Sequence, residues 1–245
     1  MSTSWSDTEN YKEACRDALT KHGFKNFKRN SNYNIVLEHV NEELGQAYLN
    51  KILQDGNFGT VNIYNACLQN DIIGNPVLYN YSGLSGPVSP TSLRYVKVLS
   101  DFKNLFGDLT DKYIVEIGGG YGGQFIINNK FYDNTWIIFD IPEAADLQIK
   151  YIKELRPTAK FFSYNHIIKI IPDLLISNYA FSEINRNVQE EYYEKVIKNA
   201  KSGYMIFNND ESHDNMTIEE LNGKISGSKI IDNSPDLNTL VWGTD

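Results

Sequence analysis

The sequence predicts an α/β fold: a mostly parallel sheet of about seven strands whose last pair is an antiparallel hairpin, behind an N-terminal helical cap. Three observations carry this. From Tyr113 onward, short runs rich in Ile, Val and Phe alternate with helix-length stretches, the pattern of βαβ units. The run Tyr113–Ile117 breaks into five glycines within six residues, Gly118 to Gly123 with only Tyr121 interrupting. Glycines at a strand-to-helix turn allow positive φ and let a ligand approach the backbone, and the next helix offers free N–H groups. Before residue 70, helical patterns follow one another with no strand between them. The division expected is a cap over 1–72, a pocket-lining loop and helix over 73–110, and the sheet domain over 111–245.

In order, residues 8–22 read as a helix. Thr8 is its N-cap, Tyr11, Cys15 and Ala18/Leu19 share a face, and Gly23 stops it. Residues 35–53 read as a second helix, with Ile35, Val36, Val40, Leu44, Tyr48 and Ile52 on one side. Asp55-Gly56-Asn57 ends it, and a third helix covers 60–69. Residues 70–92 hold Gly74, Pro76, Gly83, Gly86, Pro87 and Pro90 around Tyr79 and Tyr81. A loop this long and aromatic is read as ordered and lining a pocket. Ser92–Phe106 then forms a helix carrying Arg94 and Tyr95, closed by Gly107.

After the glycine turn a helix runs from Gln124. Further strands are Thr135–Phe139, Ala159–Tyr164, Asp173–Ser177 and Gly203–Phe207, and helices Glu143–Leu155, Gln189–Ala200 and Thr217–Gly223 are set among them. Lys229–Asp232 and Asn238–Trp242, joined across Asn233-Ser234-Pro235-Asp236, form the terminal hairpin.

Composition narrows the function. Hydrophobic content of 41% and charged content of 22% over 245 residues are those of a globular chain. A net charge of −8 argues against nucleic acid as a partner. Two cysteines are too few for a disulfide framework or a Cys-based zinc site. The start shows no basic-then-apolar leader, and no apolar run reaches membrane-spanning length, so a cytoplasmic location away from membranes is expected. Homo-oligomerisation stays open.

Two nucleotide-binding patterns overlap at the glycines. Gly118, Gly120 and Gly123 satisfy the dinucleotide fingerprint G-x-G-x-x-G. Glu116, Gly118, Gly120 and Gly122 satisfy E-x-G-x-G-x-G. The acid separates them, since a carboxylate repels a pyrophosphate and suits a cationic amino-acid cofactor. Asp140 stands twenty residues beyond Gly120, the spacing at which a carboxylate meets a ribose hydroxyl pair. Glu116, Asp140, Ser163–His166, Asn178–Glu183 and Asn208–Asp210 all fall at the carboxyl ends of strands, where parallel sheets bind ligands.

The E-x-G-x-G-x-G pattern is similar to the first motif of S-adenosylmethionine-dependent methyltransferases. The strand order resembles their Rossmann-like class I fold. Gly74-Asn75-Pro76, Leu93-Arg94-Tyr95, Val115–Gly123, Asp140-Ile141-Pro142-Glu143, Leu175–Glu183, Gly203-Tyr204, Asn208 and Val241-Trp242-Gly243 resemble a narrower family, the sugar O-methyltransferases, over residues 74–243. The first 70 residues add nothing to the likeness.

The resemblance implies methyl transfer from S-adenosyl-L-methionine to a hydroxyl of a sugar, nucleotide-sugar or glycan acceptor. Glu116, Gly118, Gly120, Tyr121, Asp140, Ile141, Tyr164, Asn165 and Asn178 would form the cofactor site. Tyr81, Arg94, Tyr179 and Asn208 would meet the acceptor. A sugar hydroxyl needs a general base or a metal, and the candidates are His213, Glu183 and Asp210, with His166 assigned to the adenine side. No metal ligand set is assigned; the carboxylates around Asp210 are a secondary candidate for Mg²⁺. His22 and His39 are read as surface or packing residues. Alternatives are an O-methyltransferase acting on a non-sugar small molecule, an NAD(P)-dependent oxidoreductase, and an inactive cofactor-binding relative.

Overall fold

A computed structural model describes residues 8–208 and 214–244. Helix α1 (Glu9–Ala18) starts at Thr8, whose hydroxyl accepts from Tyr11 N. The helix expected over 8–22 is interrupted, because Thr20 caps a new helix, α2 (Lys21–Asn26), by accepting from Gly23 N. Gly23 is therefore inside a helix rather than ending one. A 3₁₀ turn (Phe27–Arg29) leads to α3 (Ser31–Asn34), capped by Asn30.

The larger departure follows. Residues 35–41 are not the start of a long helix: α4 is Glu42–Asp55. Asn41 caps it, accepting from Leu44 N, and Glu42 and Glu43 sit favourably in its first turn. Helices α5 (Thr60–Asp71) and α6 (Pro90–Phe106) complete the segment before the sheet. Ser89 caps α6, accepting from Ser92 N, with Pro90 in the first turn. Thirteen α6 residues, Pro90 to Phe102, are buried, so this helix is central rather than amphipathic.

The sheet comprises β1 (Tyr113–Ile117), β2 (Thr135–Phe139), β3 (Phe161–Tyr164), β4 (Leu174–Asn178), β5 (Ser202–Ile206), β6 (Lys229–Ile231) and β7 (Thr239–Trp242). Its order is β3-β2-β1-β4-β5-β7-β6. The pairs from β3 to β5 are parallel, and β7 runs antiparallel to both β5 and β6. Helices α7 (Gly123–Asn129), α8 (Pro142–Leu155), α9 (Ala180–Glu183), α10 (Arg186–Lys195) and α11 (Ile218–Lys224) connect the strands.

Strand alternation sends Ile114, Ile138 and Ile176 to one face and Val115, Ile137 and Leu175 to the other. The first face packs on α6 and α7 and shares one continuous core with the cap, including Tyr48, Leu49, Cys15 and Cys67. Both cysteines are free and fully buried. The second face packs Phe181, Tyr192 and Leu221. No helix of the described residues is long and apolar enough to cross a membrane.

Candidate active site

The sheet order reverses direction between β1 and β4, the place where an open α/β sheet leaves a crevice at its carboxyl edge. The glycine turn leaves β1 there. Gly118 (φ 71), Gly120 (φ 57) and Gly122 (φ 88) hold left-handed conformations that other side chains adopt at a cost. Gly118 also has no room: a Cβ on it would lie 2.1 Å from the Cβ of Ala180.

Asp140 follows β2. Its Oδ2 accepts from Gly120 N at 3.1 Å and from Gln148 Nε2 at 2.8 Å, and its Oδ1 accepts from Ile141 N at 2.8 Å. Burial pushes its pKa up to about 7 despite those donors. The twenty-residue spacing to Gly120 is thus the span of a direct contact.

The turn after β4 explains the Ser-Asn-Tyr-Ala-Phe-Ser-Glu run. Ser177 Oγ donates to Ile117 O at 3.1 Å and accepts from Phe181 N at 3.0 Å, tying β4 to β1. Tyr179 takes φ 73, a strained value for a bulky residue. Ser182 Oγ donates to Tyr179 O at 2.6 Å and accepts from Asn208 N at 3.0 Å. Held between these anchors, Asn178 has both amide atoms, Oδ1 and Nδ2, buried without a hydrogen-bond partner. A buried, wholly unsatisfied amide is costly unless water or a ligand pairs with it.

These groups border one cavity of about 760 Å³. Gly118, Gly120, Asp140, Ile141, Asn165 and Asn178 line it, as do His166, Arg94, Tyr179, Glu183 and Asn208. The wall opposite is the 35–40 segment with Leu44 and Tyr48 of α4. Leu37 lies against the glycine turn: a Cβ on Gly120 would come within 2.6 Å of Leu37 Cδ1.

No protein-family model and no curated protein matches the chain. Solved structures are similar in fold. A methyltransferase from Pyrococcus furiosus is 13% identical with a TM-score of 0.42, covering 60% of this chain and 81% of that one. An S-adenosylmethionine-dependent methyltransferase from Aquifex aeolicus is 14% identical (TM-score 0.41; 60% and 87% covered). An RNA methyltransferase from Salinibacter ruber, in complex with S-adenosyl-L-homocysteine, is 12% identical (TM-score 0.41; 59% and 88%). The strand order decides the architecture, because a dinucleotide-binding sheet continues 3-2-1-4-5-6 with all strands parallel, whereas here an antiparallel β7 lies between β5 and β6. This is the class I methyltransferase fold.

Within that fold, several sequence-predicted residues stand away from the cavity. Glu116 is 2% exposed and does not line it. The carboxylate lies beneath the glycine turn, where Oε2 accepts from Trp136 Nε1 at 3.0 Å, and burial pushes its pKa up to about 8. Tyr121 interrupts the glycines yet points into the cap. Its ring packs on Phe27 and Tyr151, Lys28 Nζ sits 4.3 Å from its centroid, and its hydroxyl accepts from Asn70 Nδ2 at 3.0 Å. Tyr164 stops short of the cavity, its ring tilted against Phe139 and edge-on to His166. Tyr81 is corrected as well: it is 4% exposed, outside the cavity, with its hydroxyl against Gly45. The 70–92 loop as a whole contributes no residue to the main cavity, although Tyr79 lines a second one of about 230 Å³.

Asn208 and Glu183 meet, Asn208 Nδ2 donating to Glu183 Oε1. His213 and Asp210 lie outside the described residues. Among the described residues, no three His, Cys, Asp or Glu side chains are grouped as metal ligands.

The sequence reading missed His39 and the 35–40 wall. His39 keeps an exposed edge, but partial desolvation and then the charge of Arg94 lower its pKa, favouring neutral imidazole. Asn41 before Glu42-Glu43 was the available signal that α4 begins late, which frees 35–40 from a helical face.

Proposed function

We propose that this chain is an S-adenosylmethionine-dependent O-methyltransferase acting on a sugar hydroxyl, free, nucleotide-linked or in a glycan. The observation that carries the reading is Asn178. A doubly unpartnered buried amide stands on the same cavity as a left-handed glycine turn and a ribose-spaced carboxylate, at the switch point of a methyltransferase-fold sheet. The donor set fits the cofactor: a glycine cradle without Cβ atoms, a carboxylate for vicinal hydroxyls, and an amide able to donate and accept.

When bound, the cofactor supplies an electrophilic methyl group on a sulfonium centre. Gly118 and Gly120 would admit it against the backbone, Asp140 would accept from its ribose hydroxyls, and Ile141, Asn165 and His166 would border the adenine. Asn178 would orient the reacting end, and alignment of that kind is a large part of catalysis for a displacement. Residues 1–72 would serve as the cap that excludes water, through the 35–40 segment. Tyr179 and Asn208 would position the acceptor. Its proton would pass to Glu183 or His39, both of which line the cavity; His213 and Asp210 stay in the proposal from the sequence.

The test is calorimetric titration with S-adenosylhomocysteine, with NAD⁺ as a control and Asp140→Ala alongside. Binding at about 1 μM, weakened about a hundredfold in the variant as a lost charge-assisted pair of hydrogen bonds requires, is the expected result. Binding of NAD⁺ in place of S-adenosylhomocysteine rejects the reading. Sugar acceptors are then screened for methylation, and turnover on a phenol but on no sugar would move the assignment to the non-sugar class.

A further inference from the structure

We infer that Arg94 is an anion-recognition residue, whose guanidinium takes a carboxylate or phosphate group of a molecule held in the main cavity. Which molecule that is rests on the methyltransferase reading; the anion site itself does not. Arg94 lines the cavity and is only 6% exposed. Its Nε is buried with no hydrogen-bond partner. Among the described residues no carboxylate comes within ion-pairing distance, 4.0 Å, of the guanidinium.

The nearby acid is already engaged. Asp236 Oδ1 accepts from Tyr48 Oη and Tyr179 Oη, each at 2.8 Å, and Oδ2 pairs with Lys97 Nζ at 3.0 Å. The rings of Tyr95 and Tyr179 flank the guanidinium carbon at 5.6 and 5.8 Å. They hold its plane through cation–π attraction but do not supply the in-plane acceptors that five N–H donors require. A buried cation left in this condition is strongly unfavourable unless a counter-ion arrives. The chain is acidic overall, with net charge −8, so a solitary buried arginine is not a by-product of excess base. Arg presents a planar fork that matches carboxylate and phosphate oxygens in pairs.

Two sources offer this chemistry: the amino-acid carboxylate of the cofactor, and an acid or phosphate on the acceptor. Calorimetry on wild type, Arg94→Gln and Arg94→Lys separates them. The nucleoside probes are S-adenosylhomocysteine and 5′-methylthioadenosine, which lacks the amino-acid portion. Glucose 1-phosphate, glucuronate and glucose are the acceptor probes, titrated with and without S-adenosylhomocysteine present.

If the cofactor carboxylate is the partner, Arg94→Gln weakens S-adenosylhomocysteine about tenfold or more and leaves 5′-methylthioadenosine unchanged. If the acceptor supplies the anion, S-adenosylhomocysteine binding is retained. Glucose 1-phosphate or glucuronate then binds wild type about tenfold more tightly than glucose, a preference that Arg94→Gln abolishes and Arg94→Lys keeps in part.

The inference is overturned if Arg94→Gln changes neither comparison. Should that variant not fold, wild type alone decides against it by binding both nucleosides equally and preferring neither anionic sugar. Failure of wild type to bind S-adenosylhomocysteine instead overturns the methyltransferase reading, and the sugar probes then test Arg94 on the unloaded protein.

Discussion

Burial raises the pKa values of Glu116 and Asp140 above their ordinary values, to about 8 and about 7. The unfolded chain releases those protons near the usual carboxylate pKa. Between that value and the raised one the native state therefore binds more protons, and stability falls as pH rises. Glu116→Gln keeps an oxygen to accept from Trp136 and removes the ionisation. Its melting temperature should exceed that of wild type by a margin that grows from pH 5 to pH 8, read by thermal denaturation across that range. A constant margin would mean that Glu116 ionises as readily folded as unfolded. The glycine pattern made Glu116 legible as an acid at a strand end. It did not say that the pleat and the Trp136 indole would turn the carboxylate away from the cavity. Tyr121 is the same lesson: its position among the glycines fixes its backbone at the site, while the aromatic cluster of the cap draws its ring elsewhere.

At the level of elements, the β5–β7 pairing is what separates this sheet from an all-parallel one, and it depends on Gly203. Gly203 pairs with Trp242, whose indole covers the glycine so closely that a Cβ there would lie 2.0 Å from Cη2. Gly203→Ala should shift the indole or the strand and destabilise the fold by about 2 kcal/mol. Urea denaturation reads this as a lower midpoint, with S-adenosylhomocysteine affinity retained because the ligand edge lies at the other end of the strand. The strands were readable because buried β-branched runs between turns have few other uses. The start of the 35–53 segment was misread because its apolar residues fit a 3.6 period, and periodicity alone cannot distinguish a helical face from a ligand-facing wall. The local cap at Asn41 competes with that pattern and wins.

Across the whole molecule, α6 and the far edge of the sheet are joined by contacts with no local signature. Lys97 of α6 is fully buried, pairing with Asp101 and with Asp236 in the β6–β7 connection, and it also donates to Asn233 Oδ1 at 2.7 Å. Lys97 and Asp236 are 139 residues apart. A single sequence offers no reason to bring them together, which is why the Asp236 network behind Tyr179 could not be foreseen, whereas the glycine turn and Asp140, tied to neighbouring strands, could.

The positions of the two thiols give the protein an internal clock for its own breathing. Cys15 on α1 and Cys67 on α5 are fully buried among the helices that precede the sheet, and no cysteine follows them in the sequence. An aromatic disulfide reagent can reach either sulfur only when the cap opens, so its reaction rate counts opening events without any engineered label. Saturating S-adenosylhomocysteine should slow that reaction without changing the reagent's rate toward urea-unfolded chain, because ligand seated between the 35–40 wall and the glycine turn favours the closed form. Unchanged kinetics would mean that the cap moves independently of whatever the crevice holds.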